Sequence, residues 1–144
     1  MVCRVITRRT QKSTTTKLPD MLYLNDGLYG CFSMKWSEEK VFVPTLIKSR
    51  GISTPIPREW KPHRYSIWGP TCDSIDCISK EVVMDQEMMI GDWLRFQDMG
   101  AYTISAASRF NGFPNSFEVI YPVQNSEEGM TSKQTCCREA GKEC

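Results

Sequence analysis

The chemistry-bearing residues of this 144-residue chain are seven cysteines, one histidine, and the acids that follow a Gly-Pro turn. Metal binding is the first chemistry to test. A structural zinc site needs Cys or His pairs at short spacing, repeated once. Here Cys72 and Cys77 have four residues between them, Cys136 and Cys137 are adjacent, and His63 is the sole histidine. Adjacent thiolates have difficulty sharing one tetrahedral ion, so no metal site is expected. With an odd cysteine count and no secretory signal after Met1, the cysteines read as free thiols of a reducing compartment, and the cytoplasm is the expected location. Cys72 and Asp73 end the turn Gly69-Pro70-Thr71. By residue type alone, Cys72 is a buried thiol, and Asp73 and Asp76 are turn and capping residues. Tyr102 is by the same standard a core ring with its hydroxyl at the surface, and Trp68, Trp93 and Phe110 are packing residues.

The elements that must position these groups read as mainly β. Met21-Leu22-Tyr23-Leu24, then Asn25-Asp26-Gly27, then Leu28 to Met34, predict a strand, a tight turn and a second strand. Four prolines between Pro44 and Pro62 predict a long irregular connection. A short strand follows through Ser66-Ile67-Trp68. Ile90, Asp92, Leu94 and Phe96 share one face of another strand, and Tyr102 to Ala106 reads as extended. Phe117 to Tyr121 alternates as a last strand before Pro122. From Gln124 the chain turns polar and reads as a loosely attached tail. The expected divisions are residues 1–20 as an N-terminal strand and basic linker, 21–123 as the β domain, and 124–144 as the tail.

Composition narrows the function classes. Eighteen Lys+Arg against seventeen Asp+Glu leave a net charge of +1, too little to bind nucleic acid or acidic lipid by bulk charge. No apolar run is long enough to span a membrane. Arg4, Arg8, Arg9, Lys12 and Lys17 precede the first acid, Asp20, but no aromatic is interleaved to stack on bases. That segment reads as a strand edge followed by a solvated Ser/Thr linker.

Three blocks carry more than composition does. They are Tyr23-Leu24-Asn25-Asp26-Gly27-Leu28-Tyr29-Gly30, Trp68-Gly69-Pro70-Thr71-Cys72-Asp73-Ser74-Ile75-Asp76, and Gly91-Asp92-Trp93-Leu94-Arg95-Phe96-Gln97-Asp98-Met99-Gly100-Ala101-Tyr102-Thr103, with Phe110-Asn111-Gly112-Phe113 after them. Their order and spacing, from Tyr23 to Tyr121, resemble the C-terminal domain of eukaryotic ornithine decarboxylases and antizyme inhibitors. That family joins an N-terminal α/β barrel to a C-terminal β-sandwich or barrel-like domain, and builds its active site between two subunits around pyridoxal 5'-phosphate.

The resemblance implies roles residue by residue. Cys72 would lie by the cofactor and steer the proton that replaces carbon dioxide. Asp73 would hold the distal ammonium of a diamino-acid substrate, a task that suits a carboxylate in a dry site. The Tyr102 hydroxyl would contact the cofactor phosphate, and Gly100 would permit close approach at the dimer interface. Where the decarboxylases carry a substrate-lining Tyr-Asp pair, this chain has Ser37 and Glu38, as antizyme inhibitors do. Glu38 would then be the second substrate-side acid, displaced by its extra methylene.

Nothing in the 144 residues resembles the barrel's cofactor-binding lysine or its glycine-rich phosphate loop. The expected role is therefore an ornithine-decarboxylase-like domain of polyamine biosynthesis, forming putrescine in the complete enzyme and inactive as an isolated chain. Its expected partner is a second copy or a full-length relative. The alternative is a non-catalytic regulator of the antizyme-inhibitor type, with antizyme as partner.

Overall fold

A computed structural model describes residues 1–11, 18–36, 41–48 and 60–113. The chain divides into two compact units, Met1–Asn111 and Gly112–Cys144, and every strand described lies in the first. The strand predicted at Phe117–Tyr121, the tail from Gln124, and Ser37 and Glu38 fall outside the described residues.

Alternating apolar residues create the strands. In β1 (Val2–Arg9), Cys3 and Val5 point inward; in β2 (Asp20–Leu24), Leu22 and Leu24 do so. β3 (Thr45–Lys48) is short, and β4 (Trp60–Trp68) buries Tyr65 and Ile67. β5 (Cys77–Gln86) buries Ile78, Val82 and Met84, and β6 (Trp93–Arg95) buries Leu94. Together they form one six-stranded sheet in the order β3-β6-β1-β2-β4-β5. Only β2 and β4 run parallel; the other neighbours are antiparallel.

The sheet curls around its own apolar face. Phe32 stands edge-on to Phe96 (centroids 4.8 Å apart) and to Phe42 (5.3 Å), filling the concavity. The two edge strands approach each other there: Ser79 Oγ of β5 donates to the carbonyl of Phe42, three residues before β3, at 2.8 Å. A mostly β, partly closed barrel is the fold the sequence led us to expect. Arg8 donates to Asp20 at 2.8 Å and to Glu87 at 2.6 Å, and lies over the Tyr65 ring, whose hydroxyl accepts from Met88 N–H at 2.9 Å.

Several local expectations are corrected. Leu28 to Met34 is not a strand but a coiled turn leading into a 3-10 turn at Ser33–Trp36. Both sides of β2 are already taken by β1 and β4, and the Asp26 carboxylate accepts from Gly27 and Cys31 N–H, which bends the chain back. Tyr102 to Ala106 is not extended either; Ala101–Ser105 form one turn of helix, α1. With β6 paired on both sides by β1 and β3, these residues satisfy their backbone locally. The proline-rich connection contains β3, and β4 begins before Pro62. β1 lies inside the sheet rather than at its edge.

Candidate functional site

The turns at one end of the β2 and β4 strands carry the chemistry. β2 and β4 are parallel neighbours, with Tyr23 opposite Trp68, so the segments leaving them, Asn25–Trp36 and Gly69–Asp76, emerge side by side. In the first, Gly27 carbonyl accepts from Gly30 and Phe32 N–H, which turns the chain with Tyr29 inside the bend. In the second, Gly69 N–H donates to Asp76 carbonyl and Asp76 N–H to Asp73 carbonyl, a tight loop that holds Cys72 and Asp73 at its tip. A third segment joins them. Ser108 donates to Tyr29 carbonyl through both its N–H (2.7 Å) and its Oγ (3.1 Å).

The result is a compact polar and aromatic cluster. The Tyr29 hydroxyl donates to Asp73 Oδ2 at 2.5 Å, and Ile75 N–H donates to Asp73 Oδ1 at 2.9 Å. Phe110 stacks on the Tyr29 ring with centroids 3.9 Å apart, and Trp36 meets it edge-on at 6.3 Å. Asn111, at a left-handed φ of 56°, directs Nδ2 toward Cys72 Sγ at 3.5 Å. Cys72 is exposed, so the reading of it as a buried thiol is corrected; among the described residues Cys3 and Cys31 are the buried cysteines.

Ionisation follows from the same contacts. The hydrogen bond to Asp73 pushes the Tyr29 phenol up to about 12, and holds the Asp73 carboxyl below its ordinary value, aided by Ile75 N–H. Asp73 is thus a stable anion over ordinary pH. A carboxylate offers about four lone-pair directions, so two accepted hydrogen bonds leave room for a cation. Such a group, beside stacked rings and a free thiol, can orient an ammonium and offer a proton donor next to it. Behind it, burial raises the Asp26 carboxyl and pushes the Cys31 thiol well above the usual range.

Of the residues marked by the sequence, Cys72 and Asp73 share this tip. Tyr102 lies on α1, beside the Ser33–Trp36 turn, and is 79% exposed. Among the described residues no hydrogen bond or ring contact joins Tyr102 to Cys72 or Asp73. Gly100 precedes α1 with nothing within 4 Å of where a Cβ would sit, so no packing within the described residues calls for glycine there. Glu38 lies outside the described residues. Sequence reasoning assigned no role to Tyr29 or Asn111, and gave Phe110 only a packing role. Their signal was present, since Tyr29 stands in the first motif block and Phe110 and Asn111 in the last, but residue type alone does not reveal a cross-loop hydrogen bond.

Comparison with known proteins agrees with the fold and the motif blocks. Residues 1–100 match the family model of the pyridoxal-dependent decarboxylase C-terminal sheet domain. The chain is 38% identical over 123 residues to a decarboxylase of Aspergillus flavus, covering 84% of this chain and 29% of that protein. It is 35% identical over 145 residues to ornithine decarboxylase of Neurospora crassa, covering 84% and 30%. For rat ornithine decarboxylase the figures are 37% over 139 residues, 84% and 29%. A Paramecium bursaria Chlorella virus arginine decarboxylase bound to agmatine superimposes with a TM-score of 0.64 at 30% identity, over 78% of this chain and 28% of that one. The chain therefore spans less than a third of the length of these relatives. It belongs to the pyridoxal-dependent decarboxylase family, within which it corresponds to the C-terminal sheet domain.

Proposed function

We propose that this chain supplies one face of an ornithine-decarboxylase-type active site and that a barrel domain supplies the other. The observation that carries this reading is the Asp73 carboxylate, held as an anion by the Tyr29 hydroxyl beside the exposed Cys72. Asp73 binds the distal ammonium of a basic amino acid, ornithine by default. The stacked pair of Tyr29 and Phe110 offers an apolar edge along which its aliphatic stem lies, and Cys72 offers a proton where carbon dioxide leaves. The product of ornithine is putrescine, which makes the role one in polyamine biosynthesis, in the cytoplasm.

Pyridoxal phosphate supplies the electron sink for decarboxylation when bound. The residues present fit one side of such a group. The Tyr102 phenol is exposed and available to a phosphate, and the open space around Gly100 admits a second subunit closely. The partner is a second copy of the complete protein or a full-length relative. Joining this chain to the remainder of the Neurospora crassa ornithine decarboxylase, in place of that enzyme's own C-terminal region, tests the reading. The chimera releases carbon dioxide from ornithine, whereas the 144-residue chain alone releases none; a folded, cofactor-loaded chimera without decarboxylation overturns the reading.

A second reading rests on Ser37-Glu38, the pair that resembles antizyme inhibitors. It makes the chain part of a regulator that sequesters antizyme. Stable capture of purified antizyme, together with an inactive chimera, is the outcome that selects it.

A further inference from the structure

The site described above hangs from one buried acid that the functional reading does not use. Asp76 is 1% exposed. Its Oδ1 accepts from Leu28 N–H at 2.7 Å, and its Oδ2 accepts from Thr71 Oγ1 at 2.7 Å and Thr71 N–H at 3.2 Å. Leu28 immediately precedes Tyr29, and Thr71 immediately precedes Cys72 and Asp73. One carboxylate therefore anchors both loops within a residue or two of the groups that meet across them. Gly27 and Gly69 close around it so tightly that a Cβ on either would fall inside the carboxylate. None of the ion pairs among the described residues involves Asp76. Among the described residues it is met by N–H and O–H donors, and burying a carboxylate in that way is costly unless each donor is well placed.

We propose that Asp76 is a positioning residue, whose carboxylate clasps the Tyr29 loop to the Cys72-Asp73 loop and so fixes the Tyr29 hydroxyl on Asp73. Its bearing on catalysis rests on the decarboxylase reading; the clasp itself does not. Both Asp76 oxygens act as acceptors, so asparagine cannot replace it. An amide offers one acceptor oxygen, and its NH2 group would confront a donor on the other side. The loops then separate by the width of an unmade hydrogen bond, and the Tyr29–Asp73 contact is lost with them.

The test is a carboxyl-carbon NMR titration of Asp73 in the 144-residue chain, without substrate or cofactor. Tyr29→Phe sets the reference, since it deletes the hydroxyl directly and raises the Asp73 titration toward the ordinary aspartate value. Asp76→Asn is expected to reproduce at least half of that rise in a folded protein. The sign separates the clasp from simple electrostatics, because neutralising a nearby carboxylate would by itself lower the Asp73 titration. An Asp73 titration that is unchanged or lowered in folded Asp76→Asn, whatever its melting temperature, overturns the proposal. If that variant does not fold, Thr71→Val removes one donor to Asp76 and is expected to give a smaller rise; no rise overturns the proposal equally. Because neither readout involves decarboxylation, failure of the functional reading leaves this result standing, and the reverse also holds.

Discussion

The curled interior of the sheet and the loop tip at its end are built on different terms. Inside, Phe32, Phe96, Leu22, Leu24, Ile67, Ile78 and Leu94 are almost fully buried, and each removes apolar surface from water without needing a particular partner. At the tip, Tyr29, Asp73, Cys72 and Asn111 are held by a few hydrogen bonds whose donors and acceptors must meet at fixed places. The interior is therefore deep in energy and tolerant in detail; the tip is shallow in energy and strict in detail. A domain built this way can change what its rim recognises without risking its fold, and it can lose its site while remaining folded.

Substitutions can break that contrast in order of size. Phe32→Ala, at the centre of the edge-on ring stack, is expected to cost about 3–5 kcal/mol in denaturant unfolding, by loss of burial and by the cavity left behind. A cost below about 1 kcal/mol would mean that the ring stack is not what holds the curl. Gly69→Ala tests the seam between the two regions. Its Cβ would meet the Asp76 carboxylate, and overpacking of this kind typically costs about 1–3 kcal/mol. The same unfolding curves read it, and an unaffected midpoint would show that the seam has slack.

The smallest effect is on pH dependence, and there the regions should differ in sign. Asp26 is raised by burial, so its protonated form favours the fold; its contribution to stability declines as pH rises through the window just above the ordinary aspartate value. Asp73 is lowered by Tyr29 and Ile75, so its contribution is present above the ordinary value and is lost as pH falls through the lowered one. Asp26→Asn should therefore flatten the stability profile above that value, and Asp73→Asn should flatten it below. Melting temperature against pH for the two variants checks both slopes, and slopes of the same sign would contradict the contrast.

The two regions were also unequally legible in the sequence. The apolar stretch Met21 to Leu24 beside Asn25-Asp26-Gly27, and the short run Ser66 to Trp68, marked real strands, because a turn signal bounding an apolar run is a local feature of the chain. Leu28 to Met34 misled, since the same apolar content serves a turn when the strand before it has no free side to pair with. β5 carries Lys80, Glu81 and Asp85 on its outer positions and passed without notice, though its inner residues line the core. At the tip, Cys72 and Asp73 were legible only through the motif blocks. Tyr29 and Asp76 owe their roles to contacts 44 and 48 residues away, which no local pattern encodes.

The most direct measurement of the central claim compares ornithine with norvaline, which lacks the distal amino group, in the chimera carrying this chain and in its Asp73→Ala variant. The chimera should prefer ornithine strongly in kcat/KM, and Asp73→Ala should reduce that preference on the order of a hundredfold while leaving the fold intact, as expected when a placed charge partner is lost from a dry site. Preference for ornithine undiminished in the folded Asp73→Ala chimera would contradict the account, because the carboxylate at the tip would then not be what reads the substrate.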